Sequence, residues 1–204
     1  MRTYLTTIKY LQEYLLWISV VVFLLIIPSA IVFLPDFMDW GNLKIFLFNL
    51  SLGAVTFVMA IRPLADLFRG VKFIRPLVIL RKCFGVLSAS IIFGFFLSKV
   101  IASGGTYFSE ILKPEYWSWE KYKILAHLGD ITAFMLLITS NNFSKNILGK
   151  WWKRIQKLAY LYFYSGALYE YLVFGQNMAL WAVILVSILV LVAFIKNRKK
   201  ENNL

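Results

Sequence analysis

The chain has 204 residues, of which 60% are hydrophobic and 16% charged, with a net charge of +12. A soluble domain runs about 45–50% apolar and about 25% charged, so this composition excludes an ordinary soluble protein and points to an all-α membrane protein. One cysteine and one histidine exclude a disulfide framework within the chain and any multi-cysteine zinc or iron–sulfur site.

Six apolar stretches follow in order: Leu15–Leu34, Leu43–Ile61, Val86–Ile101, Tyr122–Ser140, Ile155–Phe174 and Met178–Ile195. Most approach the ~20 residues that a spanning helix needs. They predict a six-transmembrane-helix bundle, one domain over residues 1–204, with a basic cytoplasmic tail over 196–204. The first stretch exceeds the ~7–15 residues of a signal-peptide core and lacks a small-x-small site before Asp36, so it reads as a retained helix. Pro28 predicts a kink within it.

The basic residues alternate in side. Of the 22, only Lys44, Lys99, Lys113, Lys121 and Lys123 fall on one side, and the rest share the other. Positive-inside orientation then predicts both termini in the cytoplasm of a bacterial or archaeal cell membrane. The surplus also suits anionic inner-leaflet lipid. Because it is divided among short loops, no nucleic-acid partner is expected.

Two Arg-Pro pairs, Arg62-Pro63 and Arg75-Pro76, predict helix ends, because a residue before proline is pushed out of the helical region. The connection Ala102–Lys121 carries Gly104, Gly105, Tyr107, Pro114, Tyr116, Trp117 and Trp119, aromatics suited to the outer headgroup level. Trp151 and Trp152 suit the inner level. No dinucleotide fingerprint, P-loop or H-E-x-x-H is present, and no long internal repeat.

Three runs carry a family resemblance. Ile61-Arg62-Pro63-Leu64 closes the second stretch. Arg81-Lys82-Cys83-Phe84-Gly85 opens the third. Thr139-Ser140, followed by Leu148-Gly149-Lys150-Trp151-Trp152, leads into the fifth. Together, over Ile61–Phe174, they resemble the ferric-reductase-like transmembrane domain. Within that family the chain is most similar to the haem-binding membrane subunit of the bacterial periplasmic methionine sulfoxide reductase system. The resemblance implies six helices, transmembrane electron transfer through b-type haem, a membrane or soluble redox partner, and paired histidine ligands on the third and fifth helices.

The chain departs from that pattern. Phe95, Gln156 and Tyr169 stand at the positions matching the family's ligand histidines. Haem iron takes imidazole, thiolate, thioether or phenolate donors. Phenylalanine offers none, an amide is a poor one, and Tyr169 would stand alone. No haem or other cofactor is therefore expected, and the sites are expected to be empty or filled by side chains such as Phe93, Phe95 and Phe96.

Four ionisable groups remain at similar predicted depth near the outer side: Lys99, His127, Asp130 and Glu170. Each intramembrane ionisable group is a site hypothesis by default. They read either as a small outer polar pocket or as interfacial snorkelling plus a Lys99–Glu170 ion pair. One histidine with two carboxylates is a thin set for a transition metal, so no metal is expected. Cys83 reads as a buried free thiol, and Asp66 as a partner of Arg62 or Arg69.

The expected function is that of a haem-free accessory, scaffold or small-ligand-binding membrane subunit, not an enzyme by itself. One alternative is a b-type-haem electron-transfer subunit with atypical ligation. Another is a proton-linked channel or transporter using His127, Asp130 and Glu170.

Overall fold

A computed structural model describes residues 2–33, 40–104 and 106–201 of the chain. The sequence readings at Leu34, Asp36, Gly105 and residues 202–204 lie outside these, as do the side chains of Arg2, Lys121, Lys199 and Lys200. All regular structure among the described residues is helical. Four segments, Thr3–Phe33, Gly41–Leu67, Ile74–Ala102 and Asn177–Arg198, are long and apolar enough to cross a membrane, which marks the chain as an integral membrane protein.

The first helix starts well before Leu15. Helix α1 (Arg2–Val21) passes through a π-helical turn, Val22–Ile26, into α2 (Ile27–Phe33). Residues 2–14 join the helix because Ile8 has a place to bury, against Leu80 and Cys83. The irregularity next to Pro28 fits proline chemistry: Pro28 has no N–H, so a carbonyl one turn earlier loses its partner. The Phe23 carbonyl faces Gly94 on the neighbouring helix, and a Cβ added there would collide with its oxygen.

Helix α3 (Trp40–Leu67) runs through Pro63 rather than ending at it. Here packing overrides the local preference: Ile61, Pro63 and Ala65 are all buried, and so late in a helix the proline costs a single hydrogen bond. Pro76 likewise lies inside a helix, in the first turns of α4 (Ile74–Leu77), where the missing N–H would have had no partner. A 3₁₀ turn joins α4 to α5 (Arg81–Ala102).

The connection beyond α5 holds a short α6 (Tyr107–Ile111) and two 3₁₀ turns, Pro114–Trp117 and Glu120–Tyr122. Helix α7 (Lys123–Thr139) follows, then α8 (Asn142–Leu148) and α9 (Lys150–Ile155). The predicted fifth helix is thus split: α10 (Leu158–Phe174) begins after a tight turn at Gln156 and Lys157. Helix α11 (Asn177–Glu201) carries through the basic residues read above as a tail.

Helices α3, α5, α7 and α10 surround the core. Helix α11 covers α3 and α10, and α1 and α2 cover α5. The best spanning windows show the same division, with 50% of α3 buried against 17% of α11. Alternation along the chain brings the start of α3, the end of α5, the start of α7 and the end of α10 to one end of the bundle, together with the aromatic connection. The other end gathers most of the basic residues.

Candidate functional site

A cavity of about 370 Å³ opens between α3, α5, α7 and α10 at the aromatic end. Its walls are mostly apolar, with Phe48, Leu52, Val55, Ile92, Phe95 and Phe96 among them. Its polar groups are few: Lys44, Lys99, Asp130, Glu170, and the hydroxyls of Ser51, Ser98, Tyr162 and Tyr169. Mostly apolar walls with a few convergent polar groups are the usual build of a small-molecule site, and the volume lies at the lower end of the ~300–1,000 Å³ range.

The floor is a closed hydroxyl cluster. Tyr162 Oη lies 2.8 Å from Ser88 Oγ and 3.2 Å from Ser51 Oγ, and the two serine oxygens lie 2.8 Å apart. All three side chains are buried, which joins the middle of α3, α5 and α10 through mutually satisfied groups.

Glu170 is the opposite case. It is 93% buried, lines the cavity, and its Oε2 has no hydrogen-bond partner among the described residues. Among the described residues no lysine lies within ion-pair distance of it, and the predicted Lys99–Glu170 ion pair does not form. The reason is depth. Lys99 sits at the exposed rim in the last turn of α5, where its ammonium stays hydrated, whereas Glu170 is turned into the bundle.

His127 and Asp130 share a stretch of α7 but serve different surroundings. Asp130 lines the cavity; His127 does not. Three residues apart leaves them about 60° apart around the helix, enough to turn the imidazole toward the connection. There it stacks on Tyr116, ring centroids 3.6 Å apart, with Trp117 edge-on at 5.7 Å. Tyr116 in turn shares a 2.6 Å hydrogen bond with Tyr107, whose ring meets Phe96 edge-on. Burial, with this hydrogen bond second, pushes the Tyr116 phenol well above its ordinary pKa, so it stays neutral. The closest His127 Nδ1–Asp130 Oδ2 approach is 4.0 Å, too long for a hydrogen bond. No bonded relay links His127, Asp130 and Glu170. The structure brings together Lys99, Asp130 and Glu170, and sets His127 against the aromatic connection, called the cap below.

The family ligand positions divide in the same way. Phe95 and Tyr169 both line the cavity. Phe95 stacks on Phe48, centroids 5.1 Å apart, and Tyr169 meets Phe174 edge-on. Phe93 turns away, stacking on Phe134 and Phe96. Gln156 lies at the basic end, its Nε2 donating to Thr139 Oγ1 at 3.2 Å, beside Trp152 Nε1 donating to the Thr139 carbonyl at 2.9 Å. Haem does not fit these residues: Phe95 is packed on Phe48 and offers iron no donor, and Gln156 is bonded to Thr139 at the far end of the bundle.

Elsewhere, Cys83 is fully buried and donates to the Leu80 carbonyl. Asp66 pairs with neither Arg62 nor Arg69; Arg69 donates to Asn197 on α11 instead. No group of three metal-ligating side chains occurs among the described residues. Sequence reasoning missed Lys44 and the Ser51–Ser88–Tyr162 cluster. Lys44 reads as a flanking charge, and two serines inside apolar runs were the only signal for the cluster.

No protein family, curated protein or solved structure matches this chain.

Proposed function

We propose that the chain is a six-span membrane protein of ferric-reductase-like architecture that binds a small organic ligand in its outer cavity and carries no haem. In this reading α7 and α10 also span. Each has 17 residues, about 26 Å of helix, close to the ~30 Å hydrocarbon core. Both termini face the cytoplasm, where the basic end meets anionic lipid. The protein acts as an accessory or ligand-binding subunit alongside a membrane or soluble partner, and not as an enzyme by itself.

One observation carries this reading. The cavity is lined by Phe95 and Tyr169, two of the three positions that match the family's ligand histidines, yet its convergent polar groups are carboxylates and lysines. Such groups recognise charged or hydrogen-bonding parts of an organic molecule, not iron in a porphyrin.

The test is haem content. The chain is purified from haem-supplemented cells, and its reduced-minus-oxidised visible spectrum is recorded. A spectrum without stoichiometric haem supports the reading. A stoichiometric Soret band with sharp alpha bands overturns it in favour of an electron-transfer cytochrome.

A further inference from the structure

Acidic and basic side chains both line the cavity, and among the described residues no ion pair joins them across it. Lys44 and Lys99 hold the rim, both exposed, near the start of α3 and the end of α5. Lys44 leans over Phe48, its Nζ 5.8 Å from the ring centre. Glu170 lies one turn inside the end of α10, and Asp130 two turns inside the start of α7. The sole ion-pair contact at any of these four groups, among the described residues, is the 4.0 Å approach of His127 to Asp130.

Opposite charges in one low-dielectric space attract strongly, and a buried carboxylate oxygen without a partner is costly. The fold nevertheless holds cations at the rim and carboxylates below them. A dipolar guest with its own two charges meets both sets at once. Beneath the carboxylates the walls are apolar, down to the Tyr162 hydroxyl.

We propose that the cavity binds a zwitterionic ammonium compound, with the ammonium at Glu170 and Asp130 and the adjacent anionic group at Lys44 and Lys99. This rests on the ligand-site reading above and names its ligand class. A free amino acid and a phosphoethanolamine headgroup share this chemistry, and the two arms of the test separate them.

The chain in maltoside micelles is studied by native mass spectrometry and titration calorimetry. One arm compares L-phenylalanine with phenethylamine and 3-phenylpropionate, each of which lacks one charge. The other compares phosphatidylethanolamine with phosphatidylglycerol. Expected is one zwitterion bound per chain in one arm, preferred over its single-charge or anionic comparators about tenfold or more. Glu170→Gln weakens that binding about tenfold or more. Lys99→Gln, at the exposed rim and so tolerated by the fold, lowers the zwitterion's preference over the lone amine. Equal affinity for phenylalanine and phenethylamine without a phosphatidylethanolamine preference overturns the proposal. So does unchanged zwitterion binding in both variants, or no binding by any zwitterion. If neutral 2-naphthol binds saturably while both zwitterions fail, the proposal falls and the ligand-site reading stands; a stoichiometric haem band removes the ligand-site reading itself.

Discussion

The two ends of the bundle solve the same problem differently. At the basic end, Gln156, Trp152 and Thr139 satisfy one another through hydrogen bonds, and Phe57 packs on Phe84 with centroids 4.7 Å apart. At the aromatic end, Glu170 is held in an open cavity without such a partner among the described residues, and Asp130 beside it has only the 4.0 Å approach of His127. The bonds among Gln156, Trp152 and Thr139 stabilise the basic end, although Arg81 Nε is buried there without a partner among the described residues. The aromatic end gives up stability at the buried, unpartnered Glu170, a cost that the proposed ligand site would explain.

Four substitutions break or sharpen this contrast. The largest effect belongs to neither end but to the seam that fixes the wall between them. Gly94→Val drives a side chain into the Phe23 carbonyl and is expected to cost about 3 kcal/mol or more, read as a lower thermal midpoint in detergent. A midpoint equal to wild type would show that the π turn can move aside.

Glu170→Met removes the unpartnered carboxylate and is expected to raise stability by about 1–3 kcal/mol while abolishing ligand binding. A destabilised Glu170→Met would mean that the carboxylate has a structural partner. Tyr162→Phe deletes the shared hydroxyl from the floor, and a loss of about 1 kcal/mol should follow, since Ser51 and Ser88 still bond each other. No change in a thermal melt would mean that the cluster carries no net stability.

The smallest effect is expected at Gln156→Leu, within about 1 kcal/mol, because Thr139 keeps its bond to the Met135 carbonyl. Ligand binding should be untouched. Altered ligand binding in this variant would join the two ends and erase the distinction.

The helical, membrane-embedded character of the chain was legible in the sequence because apolar runs and loop charges are local signals. Helix limits were less so. Pro63 reads locally as a stop, but the burial of Ile61 and Ala65 carries α3 past it. The site was half legible. Lys99, Asp130 and Glu170 stand out as ionisable groups in apolar context. His127 stands out equally, and only the tertiary placement of Tyr116 shows that it belongs to the cap. Lys44 and the hydroxyl floor depend on which faces of α3, α5 and α10 meet, which no single stretch encodes. That phenylalanine at 95 and an amide at 156 are poor iron donors follows from residue type alone and needed no structure.

The open cavity itself is tested most directly by thiol accessibility. Ser98 and Ser90 are both buried on α5, but only Ser98 lines the cavity. Ser98→Cys and Ser90→Cys are each exposed to methanethiosulfonate ethylammonium in the purified protein, with wild type giving the baseline of buried Cys83. Labelling of Ser98→Cys well above that baseline, with Ser90→Cys remaining at it, is the predicted result. Equal labelling of the two variants, or none in Ser98→Cys, would contradict an accessible cavity at the aromatic end.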